Sequence, residues 1–149
     1  MKKSLVAFAV AFALSVGFTF LPSVTRASLL VGLQSNAAEL VSVDMLLDIF
    51  FSLAGLAVFF VVFYFLAKNS KITAVKSTII SILLGVILGS TISYPLSIFA
   101  YLPGSYLAMY FSMAAGSSVS GVFQFFLPAL TGLLFAELRE KRSNNSLTA

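Results

Sequence analysis

Between Ser77 and Ala136 the chain carries no Asp, Glu, Lys or Arg, and between Ile49 and Ala67 it carries none either. A chain of 149 residues has too small an interior to hide that much apolar surface in a core of its own. A bilayer core about 30 Å thick accepts such runs, because roughly 20 apolar residues in α-helix cross it. Composition points the same way. The chain is 60% hydrophobic and 9% charged, against about 45–50% and about 25% in soluble domains. The sequence therefore predicts an all-α integral membrane protein.

The net charge of +4 does not call for nucleic acid as a partner. The basic residues fall in short clusters beside apolar runs, where membrane topology accounts for them. With no cysteine and no histidine, the chain lacks a thiol nucleophile, the commonest general base and the commonest zinc and haem ligands. It contains no P-loop, no GxGxxG and no HExxH. No lysine lies within a span to activate a serine. The expectation is a protein that is not an enzyme, with no cofactor and no metal.

Four runs are long enough to span. The first, 4–21, follows Lys2 and Lys3 and is open to two readings. Its basic start and the Thr25-Arg26-Ala27 stretch suit a cleaved signal. Its length exceeds a typical signal core of about 7–15 residues, and we take it as a retained anchor. The second run is 45–67, ending against a basic loop at 68–76. The third is 77–101, before the turn-forming Leu102-Pro103-Gly104-Ser105. The fourth is placed at 118–138, before the tail 139–149; the alternative is a span at 105–126 followed by a cytoplasmic amphipathic segment, and periodicity does not decide between them. Four spans put eight of the nine basic residues on one side, leaving Arg26 opposite. Lys and Arg gather on the cytoplasmic side, so both termini are expected there, in the cell membrane. Cleavage of the first run would leave three spans with unchanged orientation.

Tyr94, Tyr101, Tyr106 and Tyr110 cluster about the expected outer end of the third span, and Tyr64 sits near the inner end of the second. Their rings suit the headgroup zone. One helix from Ser105 to Ala136 would be about 48 Å long, too long for ordinary tilt. A break is expected at Gly116-Ser117-Ser118, with Pro128 a second point of bending. Residues 105–115 then form a short interfacial or re-entrant helix. Segment 22–44 lies outside, its leucines spaced for a short amphipathic surface helix. No repeat relates the two halves.

Along the third span Ser77, Ser81, Gly85, Gly89, Ser93 and Ser97 recur every four residues. In lipid, helices associate through close packing and hydrogen bonds, and such a small-residue ridge admits a neighbouring backbone. Its partner is either another helix of the same chain or a second molecule.

Asp44 and Asp48 share one face at the start of the second span. Asp44 reads as a helix cap; Asp48, set among Met45, Leu46, Leu47, Ile49, Phe50 and Phe51, invites a role in binding a cation or relaying protons. Gln124 is the one amide of the fourth run, with Pro128 one turn later, and reads either as interhelical glue or as lining a pathway. Pro95 is expected to kink the third span. The leading expectation is a structural or accessory subunit assembling through small-residue packing in the bilayer, as a homo-oligomer or with a membrane-protein partner. The second is an oligomeric channel or small transporter using Asp48, Gln124 and the Pro95 kink.

Overall fold

The computed structural model describes residues 2–32, 37–99, 116 and 119–147. Nearly all of these are helical, and no strand occurs among them. The elements are α1 (Lys2–Gly32), α2 (Ala37–Ser70), α3 (Lys76–Phe99), a π-helical turn (Val122–Phe126) and α4 (Leu127–Leu147), into which that turn runs directly. Among the described residues four stretches are long and apolar enough to cross a membrane: Lys2–Pro22, Met45–Ser70, Lys76–Ser93 and Val119–Ser143.

Helix limits differ from the expected ones in ways that local chemistry explains. Segment 22–44 is not a separate surface helix, because α1 continues through Pro22 to Gly32 and α2 starts at Ala37. Ala37, Ala38, Glu39 and Leu40 are good helix formers and extend α2 backwards. Asp44 consequently lies two turns inside α2 and is no cap. Asp48 lies deeper still, beyond the reach of the first-turn dipole. At the other end, Glu137-Leu138-Arg139-Glu140-Lys141-Arg142 keeps the helix going, so the expected tail is helical to Leu147.

The turn before Pro128, where a bend is expected, is π-helical. Proline has no N–H for the carbonyl four residues back, that of Gln124, and its ring crowds that carbonyl. The chain answers by widening the preceding turn, and the Leu127 N–H bonds five residues back to the Val122 carbonyl. The break expected at Gly116-Ser117-Ser118 falls largely outside the described residues. The helix expected at 105–115 and Tyr101, Tyr106 and Tyr110 lie outside them altogether, as does the side chain of Tyr94.

The helices pair in parallel. Ser4 reaches Ser77 and Ser15 reaches Ser90, so α1 and α3 run side by side in one direction. Ser52 reaches Gln124 and Tyr64 reaches Arg139, which sets α2 and α4 parallel in the same manner. The five-residue loop 71–75 turns α2 back into α3, so the two pairs run in opposite directions. Phe18 of α1, Phe59 of α2 and Phe125 of the π turn meet where the pairs join, with the Phe59 and Phe125 rings stacked at 4.8 Å.

This topology collects Lys2, Lys3, Lys68, Lys71, Lys76, Arg139, Lys141 and Arg142 at one end of the bundle. The 71–75 loop is held there from three sides. Lys3 Nζ donates to the Lys71 carbonyl at 2.9 Å, the Ala74 N–H donates to Glu137 Oε1, and Ile72 is buried as an apolar plug. Lys71 ends α2 with φ of 49°, the left-handed geometry that helix ends use.

Candidate functional site

The α3 ridge is a seam within the chain. A Cβ on Gly85 would lie 2.7 Å from the Phe8 carbonyl oxygen and 3.0 Å from Ala11 Cβ. One on Gly89 would lie 2.8 Å from both the Phe12 oxygen and Ser15 Cβ. Of the two partners open to the ridge, the structure supplies α1. Ser77, at the exposed end of the row, bonds Ser4 Oγ at 3.3 Å. Ser81 is half-buried, while Ser93 is fully buried and donates to its own helix at the Gly89 carbonyl, 2.8 Å away. The backbone of Ser97 is helical, and its side chain lies outside the described residues.

The facing row on α1 is Ala7, Ala11, Ser15 and Thr19, also one residue in four. Ala7, Ala11 and Ser15 are wholly buried. Its sequence signal is the same four-residue spacing of small residues, less conspicuous than the α3 row because it contains no glycine. Two small-residue rows laid together let both backbones approach, and that closeness brings hydroxyl groups into contact. Ser15 Oγ lies 3.0 Å from the Val86 carbonyl, to which it donates, and 2.9 Å from Ser90 Oγ. Gly121 closes the far side against Ser90 Oγ and Val86. Three segments thus converge on a buried hydroxyl pair whose polar atoms are matched, as burial in an apolar setting requires.

The second seam joins α2 to α4. Gly132 abuts the Phe60 carbonyl and the Tyr64 amide, and Gly55 abuts the Phe125 ring. Gln124 Nε2 donates to Ser52 Oγ at 3.2 Å across this seam. Asp48 stands one turn before Ser52 on an exposed part of α2, beside exposed Met45, Leu46, Ile49 and Phe50. The structure thus brings Asp48 and Gln124 within about a helical turn of each other along the seam. Pro95 belongs to α3, whose backbone stays helical to Phe99; its side chain lies outside the described residues.

Chemically, these seams offer neutral hydroxyls and one amide, already engaged with one another. Among the described residues no group of three or more carboxylates could hold a metal ion. Large apolar side chains are exposed on every helix, including Leu5 on α1, Leu53 on α2, Leu84 and Leu88 on α3, and Leu134 on α4. Compared with protein-family models, curated protein sequences and solved structures, the chain matches none.

Proposed function

We propose that this is a small non-enzymatic multi-pass membrane protein, a structural or accessory subunit whose bundle is built by small-residue packing. In this reading the four long helices cross the cell membrane with both termini cytoplasmic. The single observation that carries it is the contrast between the inside and outside of the bundle. Within, glycines 85, 89 and 132 leave no room for a methyl group, while large apolar side chains face outward on all four helices. Interfaces of that kind suit lipid surroundings, where tight packing replaces the hydrophobic drive between helices. The eight cations at one end fit the cytoplasmic face.

Because Gly85 and Gly89 hold α3 to α1, substituting them tests the fold rather than assembly. Partner contact is better tested by extracting the protein gently from its own membranes and recording native mass spectra. Release with other subunits supports the accessory role; a lone monomer at every detergent concentration counts against it.

A second reading, an oligomeric channel or small transporter, is favoured by the strip of Asp48, Ser52, Ser120 and Gln124 along the α2–α4 seam. Ser120 is exposed one turn before Gln124, and Asp48 is exposed one turn before Ser52. Reconstituted vesicles decide it: unchanged ion or solute flux in Asp48→Asn removes this reading.

A further inference from the structure

At the basic end of the α2–α4 seam two short rows of side chains lie next to each other. On α2, Phe60, Tyr64 and Lys68 follow at four-residue steps; on α4, Phe135, Arg139 and Arg142 follow at steps of four and three. Each row passes from aromatic to cationic in the same direction, because the helices are parallel. The rows touch: Phe135 packs its ring 6.1 Å from both Phe60 and Tyr64, and Arg139 Nη1 donates to Tyr64 Oη at 2.9 Å. Gly132 makes this possible by letting α4 rest on the backbone of Phe60. Phe135 is 55% exposed, and Lys68, Arg139 and Arg142 are exposed.

Given the membrane-spanning arrangement proposed above, we propose that this seam binds an anionic phospholipid, its acyl chain on Phe60 and Phe135 and its phosphate at Arg139, Lys68 and Arg142. Charge complementarity and axial order select that occupant. An acidic protein segment needs the cations but has no use for an exposed aromatic surface directly beneath them. A zwitterionic lipid matches the aromatic surface but carries its own cation into a basic site. The seven residues from Phe135 to Arg142 rise about 10 Å, enough to hold a phosphate above the first part of an acyl chain. Tyr64 fixes the guanidinium, so Arg139 presents its remaining donors in a set direction, and guanidinium donors match phosphate oxygens in pairs. The neighbouring carboxylates do not neutralise the rows. Glu137 is engaged with the Ala74 N–H of the loop, and Glu140 projects about 100° round the helix from Arg139.

The test uses the full chain in neutral detergent, titrated with phosphatidylglycerol or with phosphatidylcholine of the same acyl chains, and read by native mass spectrometry and thermal midpoint. Phosphatidylglycerol is expected to remain bound and raise the midpoint, and phosphatidylcholine to do neither. Arg139→Gln should weaken phosphatidylglycerol about tenfold, the loss of a charge-assisted contact. Arg142→Gln, which forms no bond within the described chain, should weaken it severalfold without altering the lipid-free midpoint. Lys76→Gln, at the start of α3, should leave binding unchanged. Equal response to the two lipids, an equal loss in Lys76→Gln, or the same midpoint rise from inorganic phosphate alone each overturns the site. A chain that stays soluble without detergent overturns the membrane proposal as well; one that needs detergent but ignores headgroup charge overturns this inference alone.

Discussion

Replacing Gly85 by alanine adds one methyl group at a point of closest approach between α1 and α3. The new Cβ would stand 2.7 Å from the Phe8 carbonyl oxygen, 3.0 Å from Ala11 Cβ and 3.1 Å from the Phe12 amide nitrogen. All three atoms are backbone or fixed directly to it, so no rotamer change gives relief. Carbon and carbonyl oxygen come to rest no closer than about 3.3 Å, so α1 has to withdraw by about 0.6 Å along that line. Overpacking of this sort costs about 1–3 kcal/mol. Against it stands the gain of about 1 kcal/mol from replacing glycine by alanine inside a helix. Gly17 supplies the control, because its Cβ would meet nothing within 4 Å. Gly17→Ala should therefore show the gain alone, and the two variants should differ by roughly 1–3 kcal/mol.

The chain contains no cysteine, which permits a direct readout of helix separation. Cysteines placed at Ser4 and Ser77, whose oxygens are 3.3 Å apart, should cross-link rapidly while α1 and α3 are together. Raising the dodecyl sulfate fraction in maltoside micelles gives a midpoint at which cross-linking is lost. That midpoint should fall in Gly85→Ala and hold or rise in Gly17→Ala. Equal midpoints in the two variants would refute the inward placement of the glycine ridge.

Three further outcomes follow from local geometry. In a double-mutant cycle, Ser15→Ala and Ser90→Ala should couple by about 0.6 kcal/mol, the usual size of a hydrogen bond between helices in lipid, measured as the same midpoint. Lys71→Gly should stabilise the α2–α3 turn by about 1 kcal/mol, because φ of 49° strains a side-chain-bearing residue and suits glycine; thermal midpoints in detergent report it. Glu137→Ala should speed hydrogen exchange at the Ala74 amide about fivefold or more, in proportion to losing a bond of about 1 kcal/mol, while exchange in the middle of α3 stays unchanged.

The long apolar helices were legible because uncharged length is a one-dimensional property. Who packs on whom was not. These helices are apolar nearly all round, so no polar face marks the side turned to a neighbour. Only small residues carried that information, and the Gly85–Gly89 row named a packing face without naming α1. Asp44 was misread as a cap because hydropathy marks where a run becomes apolar, whereas helix formers such as Ala37 and Glu39 set where it begins. Nothing in Lys71 announced a left-handed residue, since glycine is the usual sign. Glu137 carries no sequence signal of its role, because its bond to Ala74 depends on a loop more than sixty residues away.

The contacts between the pairs share one further regularity. Across the α1–α3 seam the bonded residues are 73, 75 and 71 positions apart, and across the α2–α4 seam they are 72 and 75 apart. The hairpin of α3 and α4 therefore lies along the hairpin of α1 and α2 in nearly the same register, helix on corresponding helix. The sequence shows no repeat because outward-facing positions need only be apolar and are otherwise free to vary. Where the halves meet, the demand is small volume at every fourth residue, which Ala11 and Gly85 meet with different side chains. In such an arrangement α1 has no close-packed partner until α3 exists, and α2 waits in the same way for α4. Backbone hydrogen bonds within each helix are complete before any pairing, so in a bilayer each would be able to stand alone. Pairing then depends on the small-residue rows finding each other, which makes Gly85, Gly89 and Gly132 determinants of the tertiary fold more than of the helices that contain them.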